Sequence, residues 1–135
     1  MTKKDYNDLS YKIIGCAIEV HRQLGPGLLE SVYHRCMDEE MCYRKINFQT
    51  QLSVPVVYRD IKLETELRLD HLVEDLIIVE YKAVDQMIPL YQAQLMTYLK
   101  LLDKYKGLLI NFNSENISKN TVSIVMPEFA LLPDE

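Results

Sequence analysis

The sequence predicts one α/β domain of the mixed α+β kind, with a central mixed sheet of about five strands and helices on both faces. Three observations predict it. The chain has 135 residues, 48% apolar and 26% charged, an ordinary globular balance with enough length for a core. Its apolar spacing changes from helical to alternating in mid-chain. A nearly continuous apolar run, Leu76 to Val79, is followed by a helical segment and a further strand. That is the pattern of a covered central strand and a crossover.

The first helix is predicted from about Asp5 to Leu24. Leu9, Ile13, Ala17, Val20 and Leu24 recur at helical spacing, with Ile14 and Ile18 beside them. Gly25-Pro26-Gly27 ends it, because proline cannot continue a helix. A second helix should run from near Leu28 to about Arg44, with Val32, Cys36 and Met37 facing inward. Leu52, Val54, Val56 and Tyr58 then alternate with Ser53, Pro55, Val57 and Arg59, which predicts a strand with an edge position or an irregularity at Pro55. Arg59-Asp60 is the turn. Ile61 to Leu69 alternates as a half-buried strand, Glu74-Asp75 turns the chain, and the apolar run from Leu76 forms the next strand. Pro89 to about Lys104 reads as a third helix, with Leu90, Ala93, Leu95, Tyr98 and Leu102 inward. Gly107 to Phe112 is a strand, Asn113 to Asn120 a polar loop, and Thr121 to Met126 a last strand. The order is helix, helix, three-strand meander, helix, strand, strand.

Chemistry concentrates between Asp70 and Lys82. Asp70 lies near the end of one apolar strand, and the next closes on Glu80-Tyr81-Lys82. Strand side chains alternate, so Glu80 and Lys82 share a face and Tyr81 takes the other. Burying an unpaired charge among Leu, Ile and Val is costly. Two carboxylates sharing a divalent cation, beside an ammonium, would give those charges a reason to be there. Such a group suits metal-assisted phosphodiester hydrolysis. The alternative for Glu80 and Lys82 is an ion pair in solvent at a strand end.

One geometric condition attaches to the shared cation. If Glu74-Asp75 were a two-residue hairpin turn, Asp70 would face Val79, and the two carboxylates would lie on opposite sheet faces. The metal reading therefore predicts an odd loop, bulge or bend between Asp70 and Leu76.

Charge and composition narrow the function classes. The net charge is −5 and the pI about 5.2, which argues against a general nucleic-acid coating protein. A carboxylate-rich nuclease site is compatible with that charge, because bound cations restore local positive potential. No run approaches the ~20 apolar residues of a membrane span, and the first residues lack the apolar stretch of a signal peptide. The expectation is a cytoplasmic chain with no membrane partner. Cys16, Cys36 and Cys42 show no ligand spacing and are expected as reduced, mostly buried thiols. His21, His34 and His71 show no ligand spacing to one another and are assigned to surface or core, His71 facing away from Asp70.

Gly27-Leu28-Leu29-Glu30-Ser31-Val32-Tyr33 resembles the signature of the GxxExxY proteins, within the PD-(D/E)XK nuclease superfamily. The resemblance extends from about Ile13 to Phe112. It includes Arg68-x-Asp70, Ile78-Val79-Glu80-Tyr81-Lys82-Ala83-Val84, Gln92-Ala93-Gln94-Leu95-x-x-Tyr98-Leu99-Lys100 and Leu108-Leu109-Ile110-Asn111-Phe112. It implies a restriction-endonuclease-like core and a Mg²⁺- or Mn²⁺-dependent nuclease. It implies that Asp70 and Glu80 bind the metal, that Lys82 orients the attacking water and offsets developing charge, and that Glu30 also holds metal. Gln94 and Tyr98 match a Gln-x-x-x-Tyr pattern for substrate contact; four apart, they share a helical face, and Tyr98 taken alone is expected as a structural residue. Leu69 stands where a proline commonly precedes the first acid. The implied partner is nucleic acid, DNA ahead of RNA, and a homodimer would let two sites reach both strands. Taken alone, Glu30 equally suits the first turn of a helix, where an acid meets the helix dipole. Tyr33 is expected to pack or to hold Glu30 by a hydrogen bond. A second class stays open: a non-catalytic nucleic-acid-binding or protein-interaction module with the same fold.

Overall fold

The computed structural model describes residues 1–135. Helix α1 (Lys3–Leu24) starts at Thr2, whose side chain accepts from the Asp5 amide while Asp5 accepts from the Thr2 amide. This reciprocal cap satisfies two of the helix's free N–H groups. Leu9, Ile13, Ala17 and Val20 are buried as their spacing requires, whereas Ile18 and Leu24 are exposed. Helix α2 spans Glu30–Tyr43. Its inner stripe is Tyr33, Met37 and Met41 rather than the predicted Val32, which lies outside. Tyr33 stacks on Phe112 with ring centroids 4.5 Å apart. Its hydroxyl donates to the Gly25 carbonyl at 2.6 Å and accepts from the Leu28 amide at 3.1 Å. Tyr33 therefore ties the Gly25-Pro26-Gly27 corner to the core and does not hold Glu30.

The main sheet has the order β1-β4-β5-β6-β7, from β1 (Phe48–Ser53), β4 (Arg68–Val73), β5 (Ile77–Lys82), β6 (Lys106–Asn111) and β7 (Thr121–Val125). Only β5 and β6 are parallel, and they are joined through helix α3 (Pro89–Leu102). The sheet is thus mixed, and β5 is its central, buried strand, as the apolar run requires. Helices α1 and α2 cover one face, burying Ile13, Tyr33, Val79 and Ile110 among others. Helix α3 covers the other through Leu95, Tyr98 and Leu99, against Ile78 and Leu109. Leu90 and Ala93, predicted inward, are exposed. At Gly107 the helix approaches so closely that an added Cβ would lie 2.9 Å from the Leu95 side chain.

Between β1 and β4 the chain forms a separate two-stranded hairpin, β2 (Val56–Tyr58) with β3 (Ile61–Leu63). The two long strands predicted here are each broken in two. Val54 donates to the Leu67 carbonyl, yet Val56 pairs with Leu63. Pro55 therefore faces Glu64, Thr65 and Glu66, a mismatch of two residues. Proline offers no N–H to continue the ladder. The Thr65 hydroxyl fills the gap, donating to the Val54 carbonyl and accepting from the Leu67 amide. Strand β3 is exposed throughout, so its alternation does not mark a core face. A short 3₁₀ turn (Ser118–Asn120) precedes β7, and a last helical turn, α4 (Pro127–Ala130), lies beyond the predicted elements. No helix is long and apolar enough to cross a membrane.

Candidate metal centre

The loop between β4 and β5 sets the site. Val73 pairs with Ile77, leaving Glu74, Asp75 and Leu76 as a three-residue connection. Glu74 and Asp75 adopt left-handed backbone, and the Leu76 amide donates to the Val73 carbonyl at 2.9 Å. The odd loop changes the register by one from a two-residue hairpin. His71 faces Val79, so the next pair outward is Asp70 with Glu80, on one face of the sheet. The geometric condition for a shared cation is met.

The two carboxylates engage each other's strands. The Asp70 amide donates to Glu80 Oε2 at 2.9 Å, and the Tyr81 amide donates to Asp70 Oδ2 at 2.9 Å. Glu80 is only 8% exposed. Burial, and next the negative charge of Asp70, push its carboxyl up to about 9. Burial also works against ionised Asp70, but hydrogen bonds from His34, from Glu80 and from the Tyr81 amide outweigh it and hold its pKa below the usual value. At neutral pH the pair therefore carries one proton, on Glu80, and one negative charge, on Asp70.

Lys82 shares the Glu80 face, with Nζ 4.5 Å from the centroid of the Tyr91 ring on α3. Its charge opposes the upward shifts of both Glu80 and Glu30. Glu30, in the first turn of α2, keeps solvent access. Its pKa is raised, first by desolvation and then by Asp70. On α3, Tyr98 is buried and Gln94 half-buried. The Tyr98 hydroxyl is raised by burial and then by the charges of Glu80 and Asp70, with Gln94 offsetting part of the shift. The six residues singled out in the sequence thus converge on one end of the sheet.

Sequence spacing did not reveal the histidines. His34 Nδ1 lies 3.5 Å from Asp70 Oδ1, and its Nε2 lies 2.7 Å from Thr50 Oγ1. His71, fully buried, places Nδ1 2.7 Å from the Tyr81 hydroxyl and Nε2 2.5 Å from Asp38 Oδ1. Burial pushes the His71 pKa down to about 4 despite Asp38, so this ring is neutral. His34 is raised, chiefly by its hydrogen bond to Asp70. His34 and Asp38 are four apart on α2, and the signal that joins them to His71 is the β4 register, which spacing along the chain does not carry. Gln51 completes this wall. It adopts left-handed backbone (φ 50°) inside β1 at the level of Asp70, and its amide lies 3.5 Å from His34 Nδ1.

Beside them lies an open pocket of about 550 Å³, lined by Glu30, His34, Arg35, Asp38, Gln51 and Asp70 with Ser31 and Thr50. Three carboxylates face one guanidinium there, so the pocket repels phosphate until a cation enters. Among the thiols, Cys16 is buried, Cys36 half-buried and Cys42 exposed. None is part of this wall.

A family model of the PD-(D/E)XK nuclease superfamily matches residues 7–124. The chain belongs to the PD-(D/E)XK nuclease superfamily. Proteins of this superfamily are generally hydrolytic nucleases that use divalent metals. The mixed five-stranded sheet, with α1 and α2 on one face and α3 on the other, agrees with its restriction-endonuclease-like fold. No curated protein and no solved structure matches the chain.

Proposed function

We propose that this PD-(D/E)XK chain is a Mg²⁺- or Mn²⁺-dependent nuclease that hydrolyses phosphodiester bonds, with Asp70, Glu80 and Lys82 as its catalytic centre. The observation that carries the reading is the Asp70–Glu80 pair: two carboxylates on one sheet face, largely shielded from water, each accepting from an amide of the other's strand. The donors are oxygens, which suits a hard cation such as Mg²⁺ or Mn²⁺. When bound, such an ion polarises the scissile phosphate and lowers the pKa of a water molecule.

The chain's own residues supply the rest. Asp70 is already ionised, and Glu80 releases its proton on loading. Lys82, on the same strand face, orients the attacking water and offsets charge that develops on the phosphate. Glu30, near Asp70 and open to solvent, extends the acidic group toward the pocket. Gln94 and Tyr98 contact substrate from α3. The Gly27-x-x-Glu30-x-x-Tyr33 spacing supports placing the chain among the GxxExxY proteins. DNA is placed ahead of RNA as substrate, and a homodimer would bring two sites to two strands. Three unpaired cysteines favour a reducing, cytoplasmic setting.

The test is cleavage of a mixed panel of DNA and RNA, single- and double-stranded, with Mg²⁺ or Mn²⁺. Wild type should cleave only with metal, and Asp70→Asn and Lys82→Ala should each lose about 10²-fold or more. No cleavage by wild type, together with no Mn²⁺ binding, would replace the nuclease with a binding module that retains the fold.

A further inference from the structure

We propose that His34, Asp38 and His71 form a second metal site, separate from Asp70 and Glu80 and selective for a transition metal of the Zn²⁺ class. The proposal does not rest on the nuclease reading. One ligand atom from each of the three residues lies within 4.8 Å of the other two. His71 Nε2 is 2.5 Å from Asp38 Oδ1, and His34 Nε2 is 3.7 Å from the same oxygen. Donors around a tetrahedral Zn²⁺ at about 2.0–2.1 Å stand roughly 3.3 Å apart. The Asp38 side chain is 25% exposed at the pocket wall. A modest rotation of it would open the short contact to His71 and admit the ion.

The surroundings are built in the manner of a metal site. A histidine ligand is normally fixed by a partner on its other ring nitrogen. His71 has the Tyr81 hydroxyl at 2.7 Å on Nδ1, deep in the core, which aims Nε2 at Asp38. With the ion in place the ring carries its proton on Nδ1, facing the Tyr81 oxygen. His34 has Asp70 Oδ1 at 3.5 Å from Nδ1, and its Nε2, 2.7 Å from Thr50 Oγ1, would exchange that hydroxyl contact for the ion. Both imidazoles are thus backed from the protein side, and His34 and Asp38 line the pocket. The pair on α2 is four residues apart, on one helical face, and β4 supplies the third donor.

The donor chemistry sets the class of ion. Two imidazole nitrogens and one carboxylate favour Zn²⁺, and after it Co²⁺ or Mn²⁺, over Mg²⁺ and Ca²⁺. Three protein ligands leave a coordination position free on the pocket side. His34 connects the two sites, because the same ring faces Asp38 through one nitrogen and Asp70 through the other. Occupancy here would therefore bear on how Asp70 is held.

Co²⁺ is the probe, since its visible absorption reports coordination number. Metal-free protein titrated with Co²⁺ should develop the intense bands of a four- or five-coordinate ion at one equivalent. Zn²⁺ should displace them and excess Mg²⁺ should not. Asp38→Asn and His34→Gln should each weaken Co²⁺ binding by about 10- to 100-fold or more, with unchanged circular dichroism. Glu80→Gln should leave it in place. Equal Co²⁺ binding by wild type and Asp38→Asn, loss of the bands in Glu80→Gln, or a thiolate charge-transfer band in the ultraviolet would each overturn the proposal. Because Glu80→Gln removes the other site and Asp38→Asn removes this one, the two assignments fail separately.

Discussion

Replacing Glu80 with Gln should make the metal-free protein less sensitive to alkaline pH, and the size of the effect follows from where the proton sits. In the folded chain Glu80 titrates near 9, against an ordinary value of 4.5. Between those values the folded state holds a proton that the unfolded state has released. Stability from this group is fully present below 4.5 and is lost as pH rises toward 9. The groups facing Glu80 are Asp70 on β4, Lys82 on β5 and Tyr98 on α3, with His34 beyond Asp70 on α2. Asp70 is depressed below its usual value, so its contribution changes only in acid. His71 has the opposite sign, gaining stability as pH rises from about 4 to 6.5, and is silent above that. His34, raised, adds to the alkaline loss, but it does so in both proteins.

From about pH 7 to about pH 8.5, one retained proton corresponds to a loss of about 2 kcal/mol, at roughly 1.4 kcal/mol per pH unit. Urea unfolding in the presence of a chelator, at several pH values in this window, measures it. Wild type should lose about 2 kcal/mol more than Glu80→Gln across the window. Added Mn²⁺ should stabilise wild type increasingly with pH, because the ion replaces a proton at Glu80. Equal slopes for wild type and Glu80→Gln would refute the protonated pair, and with it the account of how the site is held together without metal.

Two structural predictions concern the frame around the site. Gly107→Ala places a methyl group against Leu95, which is fully buried, and should cost about 1–3 kcal/mol in urea unfolding; a change under about 0.5 kcal/mol would mean that α3 moves off the sheet freely. Tyr33→Phe keeps the stack on Phe112 but removes the hydroxyl's two hydrogen bonds to the Gly25–Leu28 corner. It should cost about 1–3 kcal/mol, with Mn²⁺ affinity within a factor of about three of wild type. A large loss of metal affinity would instead place Tyr33 in the service of Glu30.

Much of the fold was readable because the strongest signals are local. The α1 stripe, the Gly25-Pro26-Gly27 stop and the apolar run of β5 each report burial directly through spacing or composition. The split ribbon was less readable. Alternation across Ile61–Leu69 is continuous, but the Pro55 mismatch shifts pairing by two residues and leaves β3 in solvent. Alternation records which side chains share a face and says nothing of whether that face is covered. The inner stripe of α2 was misplaced because Tyr33, a large amphipathic residue, displaces Val32 from the core. In the site, Asp70, Glu80 and Lys82 stand out because charge interrupts an apolar pattern. The three-residue loop that brings the acids together was required by the chemistry before it was seen in the backbone. His34, Asp38 and His71 could not be grouped in the same way. Their proximity depends on the packing of α2 beside β4, a tertiary property with no counterpart in chain spacing.

In the proposed metal centre, Asp70 and Glu80 exchange a shared proton for a divalent cation. Anomalous diffraction from crystals grown with Mn²⁺ tests it most directly. Wild-type crystals should show a manganese peak bound by carboxylate oxygens of both Asp70 and Glu80, with Lys82 on the same side, and Glu80→Gln crystals should show none. A wild-type map at full Mn²⁺ loading with no peak between those two carboxylates would contradict it.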